Sequence, residues 1–152
     1  EKKLTLQVAQ KVADQLRDAG ATVILTRSSD RFLTLAQRVH ISRLYHTHAF
    51  ISIHFNSFNR RNASGISTYY YDSVDRKLAQ DIQHQLADRT RLQNNGVRFG
   101  NYYVLRENPD PSILVEGGFI TNPYDLSMIQ TSQYQSHVAE AITQGVINYF
   151  EN

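Results

Sequence analysis

Glu1, His54 and Glu116 are the side chains whose types and positions point to chemistry. His54 closes the apolar run Phe50-Ile51-Ser52-Ile53, and Glu116 closes Ile113-Leu114-Val115. In an open α/β sheet the ligand crevice lies outside the carboxyl ends of the strands, so a titratable group ending a buried run is aimed at substrate. An imidazole and carboxylates at such a crevice can hold a divalent cation and accept a proton, the parts of a metal-dependent hydrolase. A carboxylate after three apolar residues is costly to bury unless it is paired, coordinated or catalytic. Gly117 and Gly118 beside it let backbone approach closely. Asn56, two residues past His54, falls on the same strand face. Glu1 heads a helix, where the macrodipole favours an acid whatever its role.

The remaining histidines carry less. His46 and His48 have a metal-compatible spacing but precede the strand 49–55, at the amino end away from the crevice, and read as loop residues. His40, His84 and His137 fall on helix patterns and read as solvated faces. Tyr69-Tyr70-Tyr71 follows from strand propensity and alternate-face packing. No P-loop, dinucleotide fingerprint or G-x-S-x-G elbow is present.

Positioning these groups requires a core, and 152 residues at 41% hydrophobic content suit one domain, residues 1–152. No apolar run approaches the ~20 residues of a membrane helix. The absence of cysteine excludes disulfides and thiolate ligands, leaving His, Asp and Glu for zinc, and fits an exported protein. A net charge of +2 comes from intermixed signs, with no basic run beyond Arg60-Arg61, so no nucleic-acid partner is expected. The chain opens on a helix pattern without a signal peptide and reads as a segment of something longer.

Leu4, Val8, Val12 and Leu16, followed by Gly20, describe an amphipathic helix with a glycine stop. Val23-Ile24-Leu25 reads as a short buried strand, Leu35, Val39 and Leu44 as a helix, and 49–55 as an apolar strand. Residues 65–71, 102–105 and 113–115 are further strand candidates, with a helix face at Leu78, Ile82 and Leu86 between them. Ser132 with Gln135 reads as a capping box before a last helix carrying Val138, Ile142, Val146 and Tyr149. The alternation predicts an α/β fold: a mainly parallel twisted sheet with helices on both faces.

Taken in order, Val23-Ile24-Leu25-Thr26-Arg27, Phe50 to Ser57, Gly65 to Tyr71, Tyr103-Val104-Leu105-Arg106 and Pro111 to Asn122 resemble the catalytic domain of zinc-dependent N-acetylmuramoyl-L-alanine amidases. These are the bacterial autolysins that cut peptidoglycan, with a zinc-exopeptidase-like fold. The resemblance spans nearly the full length. It implies that Glu1 and His54 are zinc ligands and Glu116 the catalytic carboxylate. By their own placement, Asn56 is a candidate to hydrogen-bond the substrate or orient His54, and Arg106 to meet substrate or serve a structural ion pair. Arg106 suits a stem-peptide carboxylate through its guanidinium geometry.

The family also begins with a strand ending in Asp-Pro-Gly-His-Gly-Gly, whose histidine is a further ligand; that motif is not in this numbering. Some members insert a site-blocking helix after the strand corresponding to 65–71, for which Asp72 to Arg76 leaves no room. The resemblance further implies a secreted cell-wall enzyme, flanked in the full protein by wall-targeting modules and acting on muramyl peptides. Two readings stand beside it: a zinc peptidase of related fold, and a wall-binding module without catalysis. A two-carboxylate glycosidase would leave His54 without a role.

Overall fold

In the segment Phe50-Ile51-Ser52-Ile53-His54-Phe55-Asn56, β-branched and aromatic residues dominate, and alternate side chains face opposite ways; it forms strand β1 (Phe50–Asn56). The structure, a computed structural model, describes residues 1–152. Helix α1 (Lys2–Asp18) and helix α2 (Leu35–Leu44) precede β1. After it come β2 (Ile66–Tyr70), α3 (Arg76–Arg89), β3 (Asn94–Phe99), α4 (Tyr103–Arg106), β4 (Ser112–Phe119), α5 (Pro123–Ile129) and α6 (Ser132–Glu151). The strands lie in the order β1-β4-β2-β3. β1 pairs with β4 and β2 with β3 in parallel, while β2 and β4 run antiparallel, so the sheet is mainly parallel with one reversed junction.

The two faces bury different layers. Ile51, Ile53 and Phe55 of β1 and Ile113 and Val115 of β4 pack toward α1, α3 and α6, against Val8, Val12, Leu78, Ile82, Val138 and Ile142. Phe50 and Leu114 project the other way, with Val39 of α2 and Val104 and Leu105 of α4. Helices therefore cover both faces, thickly on one and thinly on the other. The thin side leaves room for a site.

Three sequence expectations are corrected. Residues 23–25 form no strand, and Ile24 is exposed. A strand needs a ladder partner, and β1, at the sheet edge, pairs only with β4. Between residues 24–27 and the free edge of β1 runs a groove of about 490 Å³. Residues 102–105 form no strand: Tyr103–Arg106 is a helical turn with Tyr102 at its N-cap, and the strand on that side is the polar Asn94–Phe99, an edge strand without an apolar pattern to betray it. The last helix is capped by Thr131, whose hydroxyl accepts from the Tyr134 N–H, and Ser132 already lies inside it; the true capping box is Thr34 with Gln37 at α2.

Two buried polar knots hold the site end rigid. Asp125, fully buried, accepts from the Ser64 hydroxyl at 2.6 Å, the Gly65 N–H at 3.0 Å and the Phe119 N–H at 3.0 Å, tying the loop before β2 to the end of β4. Gln83 on α3 accepts from the Thr68 hydroxyl and donates to Ile66 O and Asn94 Oδ1, locking β2 and β3 to the helix layer.

Candidate active site

The site grows from a register. Residues paired across adjacent strands present their side chains on the same face, and His54 is paired with Glu116, which is in turn paired with Ser67 of β2. That row lies on the thinly covered face, two residues beyond the Ser52, Leu114 and Tyr69 row. His54 and Glu116 are not the last residues of their strands. β1 continues to Asn56 and β4 to Phe119, with a bulge between them. Gly118 takes a φ of +129° at that bulge, and a Cβ on Gly117 would come within 2.7 Å of the Phe55 ring, which explains the glycine pair.

Glu1, at the N-cap of α1, reaches this row across the sheet edge. Its Oε1 lies 3.2 Å from His54 Nδ1 and accepts from the Phe55 N–H at 3.3 Å. The hydrogen bond with His54 holds the Glu1 carboxyl below the usual carboxylate range, partly opposed by burial. Glu116 is buried at 8% exposure, and its Oε2 has no hydrogen-bond partner. Burial pushes its carboxyl up to about 7; His54 pulls the other way and Glu1 adds to the rise. A buried carboxyl poised near neutral pH with a free oxygen is the form a general base takes.

The geometry also bears on a metal. Two ligands at ~2.0–2.1 Å from a tetrahedral zinc stand roughly 3.3 Å apart, close to the separation of His54 Nδ1 and Glu1 Oε1. Imidazole nitrogen and carboxylate oxygen are donors that zinc accepts. No three His, Asp or Glu side chains gather closely enough to hold an ion, so this pair alone does not complete a ligand set.

The other candidates lie nearby in different circumstances. Asn56 caps its own turn, its Oδ1 accepting from the Ser57 N–H at 2.9 Å. Arg106 is engaged with Glu107 Oε1 at 2.9 Å and Asn101 Oδ1 at 2.6 Å and lies over the Tyr103 ring. His40 and His84 are exposed on helices, while His137 is half-buried on α6.

Sequence reasoning passed over two neighbours. Ser52 hydrogen-bonds His54, and strand period two was the signal for it. Tyr102, half-exposed, stands edge-on to Tyr69 at 5.4 Å. Its hydroxyl is raised by burial, by Tyr69 and by the charge of Glu116. A Cβ on Gly100 would come within 2.5 Å of the Tyr102 ring, so that glycine is what seats it. No periodicity encodes this placement.

Residues 1–148 match the family described as N-acetylmuramoyl-L-alanine amidase. The chain belongs to that family. It is an amidase catalytic domain, in a family of metal-dependent enzymes that act on peptidoglycan. It is 35% identical to N-acetylmuramoyl-L-alanine amidase LytC of Bacillus subtilis over 99% of the chain and 31% of LytC. It is 37% identical to the B. subtilis protein YqiI over 99% of the chain and 75% of that protein. Among solved structures, the amidase AmiC2 of Nostoc punctiforme superposes with a TM-score of 0.96 at 37% identity, covering 100% of this chain and 85% of AmiC2. The catalytic domain of CwlV from Bacillus (Paenibacillus) polymyxa var. colistinus gives 0.96 at 34% identity, over 99% of this chain and 85% of the other. The amidase chain thus spans from under a third to three quarters of these curated relatives. None of its helices is long and apolar enough to cross a membrane.

Proposed function

We propose that this domain is a zinc-dependent autolysin that hydrolyses the amide joining the lactyl group of N-acetylmuramic acid to L-alanine. Glu1 and His54 are two of its zinc ligands and Glu116 is its general base. The observation that carries this reading is the buried, singly unpartnered Glu116 carboxyl, raised to about 7, in register with a histidine that touches a second carboxylate. What zinc supplies when bound is Lewis-acid polarisation of the amide carbonyl and a more acidic water, with a pKa of ~7. Glu116 Oε2 takes the proton from the attacking water and returns it to the alanine nitrogen as the carbon–nitrogen bond breaks. The buried position of Glu116 keeps bulk water from competing for that proton. Asn56 and Arg106 are proposed substrate contacts, Arg106 after release from Glu107.

Two ligands fall short of the three that a catalytic zinc site takes from protein. The groove along the free edge of β1 supports an added extended segment there, as in the family pattern with its Asp-Pro-Gly-His-Gly-Gly histidine. The match to only 31% of the amidase LytC supports a longer, secreted protein with wall-targeting modules.

Incubating the full-length protein with purified peptidoglycan separates the readings. New L-alanine amino groups are expected, lost on chelation and restored by zinc. New reducing ends, cleavage within the stem peptide, or turnover indifferent to chelation would refute this assignment.

A further inference from the structure

The strand register carries the face of Glu116 across the sheet to β3. Glu116 pairs with Ser67 of β2, and two residues further along β2 Tyr69 pairs with Arg98 of β3. Between them Thr68 and Val97 pair and face the other way, Thr68 bonding Gln83 of α3 and Val97 packing on the thickly covered core. Arg98 therefore rises on the same thinly covered face as His54 and Glu116. Its Nε donates to Asn95 O at 3.2 Å, three residues back along β3. The level of Ser67 falls between Asn94 and Val97, so this bond draws the side chain back toward the row that ends at Glu116. Arg98 is exposed, and of its three nitrogens only Nε has a protein partner. Arg106, by contrast, is held by Glu107 and Asn101.

We propose that Arg98 is a specificity-determining residue that binds the free carboxylate of the second stem-peptide residue. The proposal rests on the reading of the domain as a muramyl-peptide amidase. Adjacent strands stand ~4.8 Å apart, so β3 lies roughly 9.6 Å from β4 across β2. An extended dipeptide spans about 7 Å, and a charge-assisted hydrogen bond adds ~2.8 Å. A stem lying across β2 from an amide at Glu116 thus brings its second residue to the Arg98 guanidinium. Tyr69, level with Arg98, holds the half-exposed Tyr102 ring edge-on at 5.4 Å, an apolar wall beside that path. A second residue linked onward through its side-chain carboxyl keeps its α-carboxylate free, and the two terminal guanidinium nitrogens match that group as a fork. Amidation of the same group removes the charge and one acceptor. Stems with the free carboxylate are therefore the favoured substrates. A charge on an edge strand also deters sheet-to-sheet pairing, a role that would be blind to the substrate.

The test compares two soluble substrates with the full-length protein: N-acetylmuramoyl-L-alanyl-D-isoglutamate and its isoglutamine counterpart, which differ only in that carboxylate. Calorimetry with the released dipeptides reads the same preference without turnover. Wild type should favour the carboxylate form by ~10-fold, chiefly in KM, between the worth of an exposed ion pair and that of a charge-assisted hydrogen bond. A contact two residues from the reacting bond holds ground state and transition state alike, so KM moves and kcat hardly does. Arg98→Ala should raise KM for the carboxylate form until the two substrates are alike, and Arg98→Lys, which keeps the charge without the fork, should recover part of the preference. A wild type without preference, a preference that survives Arg98→Ala, or one lost instead in Arg106→Ala would overturn the role of Arg98. So would an equal loss on both substrates, the mark of a structural arginine. Failure of wild type to release L-alanine amine from either substrate would refute the hydrolysis reading and, with it, this proposal.

Discussion

His54 and Glu116 hold the same register position on adjacent parallel strands, although 62 positions separate their numbers. Their spacing is therefore set by the backbone ladder, which is rigid, and owes nothing to loop conformation. The Glu116 carboxyl is kept beside the His54 ring yet accepts no hydrogen bond at Oε2.

Replacing Glu116 with Gln preserves shape and removes only the ability to take a proton. If this group is the base, turnover should fall ~10²–10⁴-fold, the range general-base catalysis contributes. Zinc content by elemental analysis and binding to insoluble peptidoglycan should stay at wild-type levels. Turnover close to wild type would remove Glu116 from this role.

The raised carboxyl makes metal-free stability depend on pH with a definite sign. Unfolded, Glu116 titrates near 4.5; folded, near 7. The native state keeps the proton longer, so the stability it contributes is whole below about pH 4.5 and is lost as pH rises through 7. The shift corresponds to about 3 kcal/mol. Glu116→Gln mimics the neutral acid, so after chelation it should match wild type in acid and exceed it above neutrality in thermal unfolding. Parallel curves across that range would contradict the burial argument.

Asp125 tests whether the site end is held by its polar knot. Three donors converge on one fully buried carboxylate, and hydrogen bonds to charged groups contribute ~1.5–3 kcal/mol each, though not additively. Asp125→Ala also leaves the Gly65 and Phe119 N–H groups without that acceptor. A loss of about 3 kcal/mol or more is expected in urea unfolding, with Asp125→Asn losing less. A loss under ~1 kcal/mol would mean water replaces the knot.

What was legible in the chain follows from what each element buries. β1, β4 and α1 are covered by the core, so the apolar pattern announced them. Residues 23–25 have the same composition as a strand but no partner beside them, and pairing is invisible in a single segment. β3 is legible to neither rule, because an edge strand reading Asn-Asn-Gly-Val-Arg-Phe has little to bury. Among site groups, His54 and Glu116 stood out as polar residues following apolar runs. Ser52 and Tyr102 did not, because a serine inside a strand and a tyrosine beside a helical turn are ordinary until their neighbours are known.

Gly145 offers a test of the helix layer behind the site. In α6 it passes so close to α3 that a Cβ there would lie 2.6 Å from Ile82 Cα and 2.8 Å from its nitrogen. Two effects compete in Gly145→Ala. Helix propensity favours alanine by ~0.5–1 kcal/mol, while overpacking costs ~1–3 kcal/mol. Because the obstruction is backbone of a helix that itself packs on the sheet, the helices must separate, and the overpacking cost wins. A net destabilisation of ~1–2 kcal/mol is expected in denaturant unfolding. The His54–Glu116 register should be unchanged, since α6 lies on the sheet face opposite those side chains. A variant more stable than wild type would show that the crossing can open without loss.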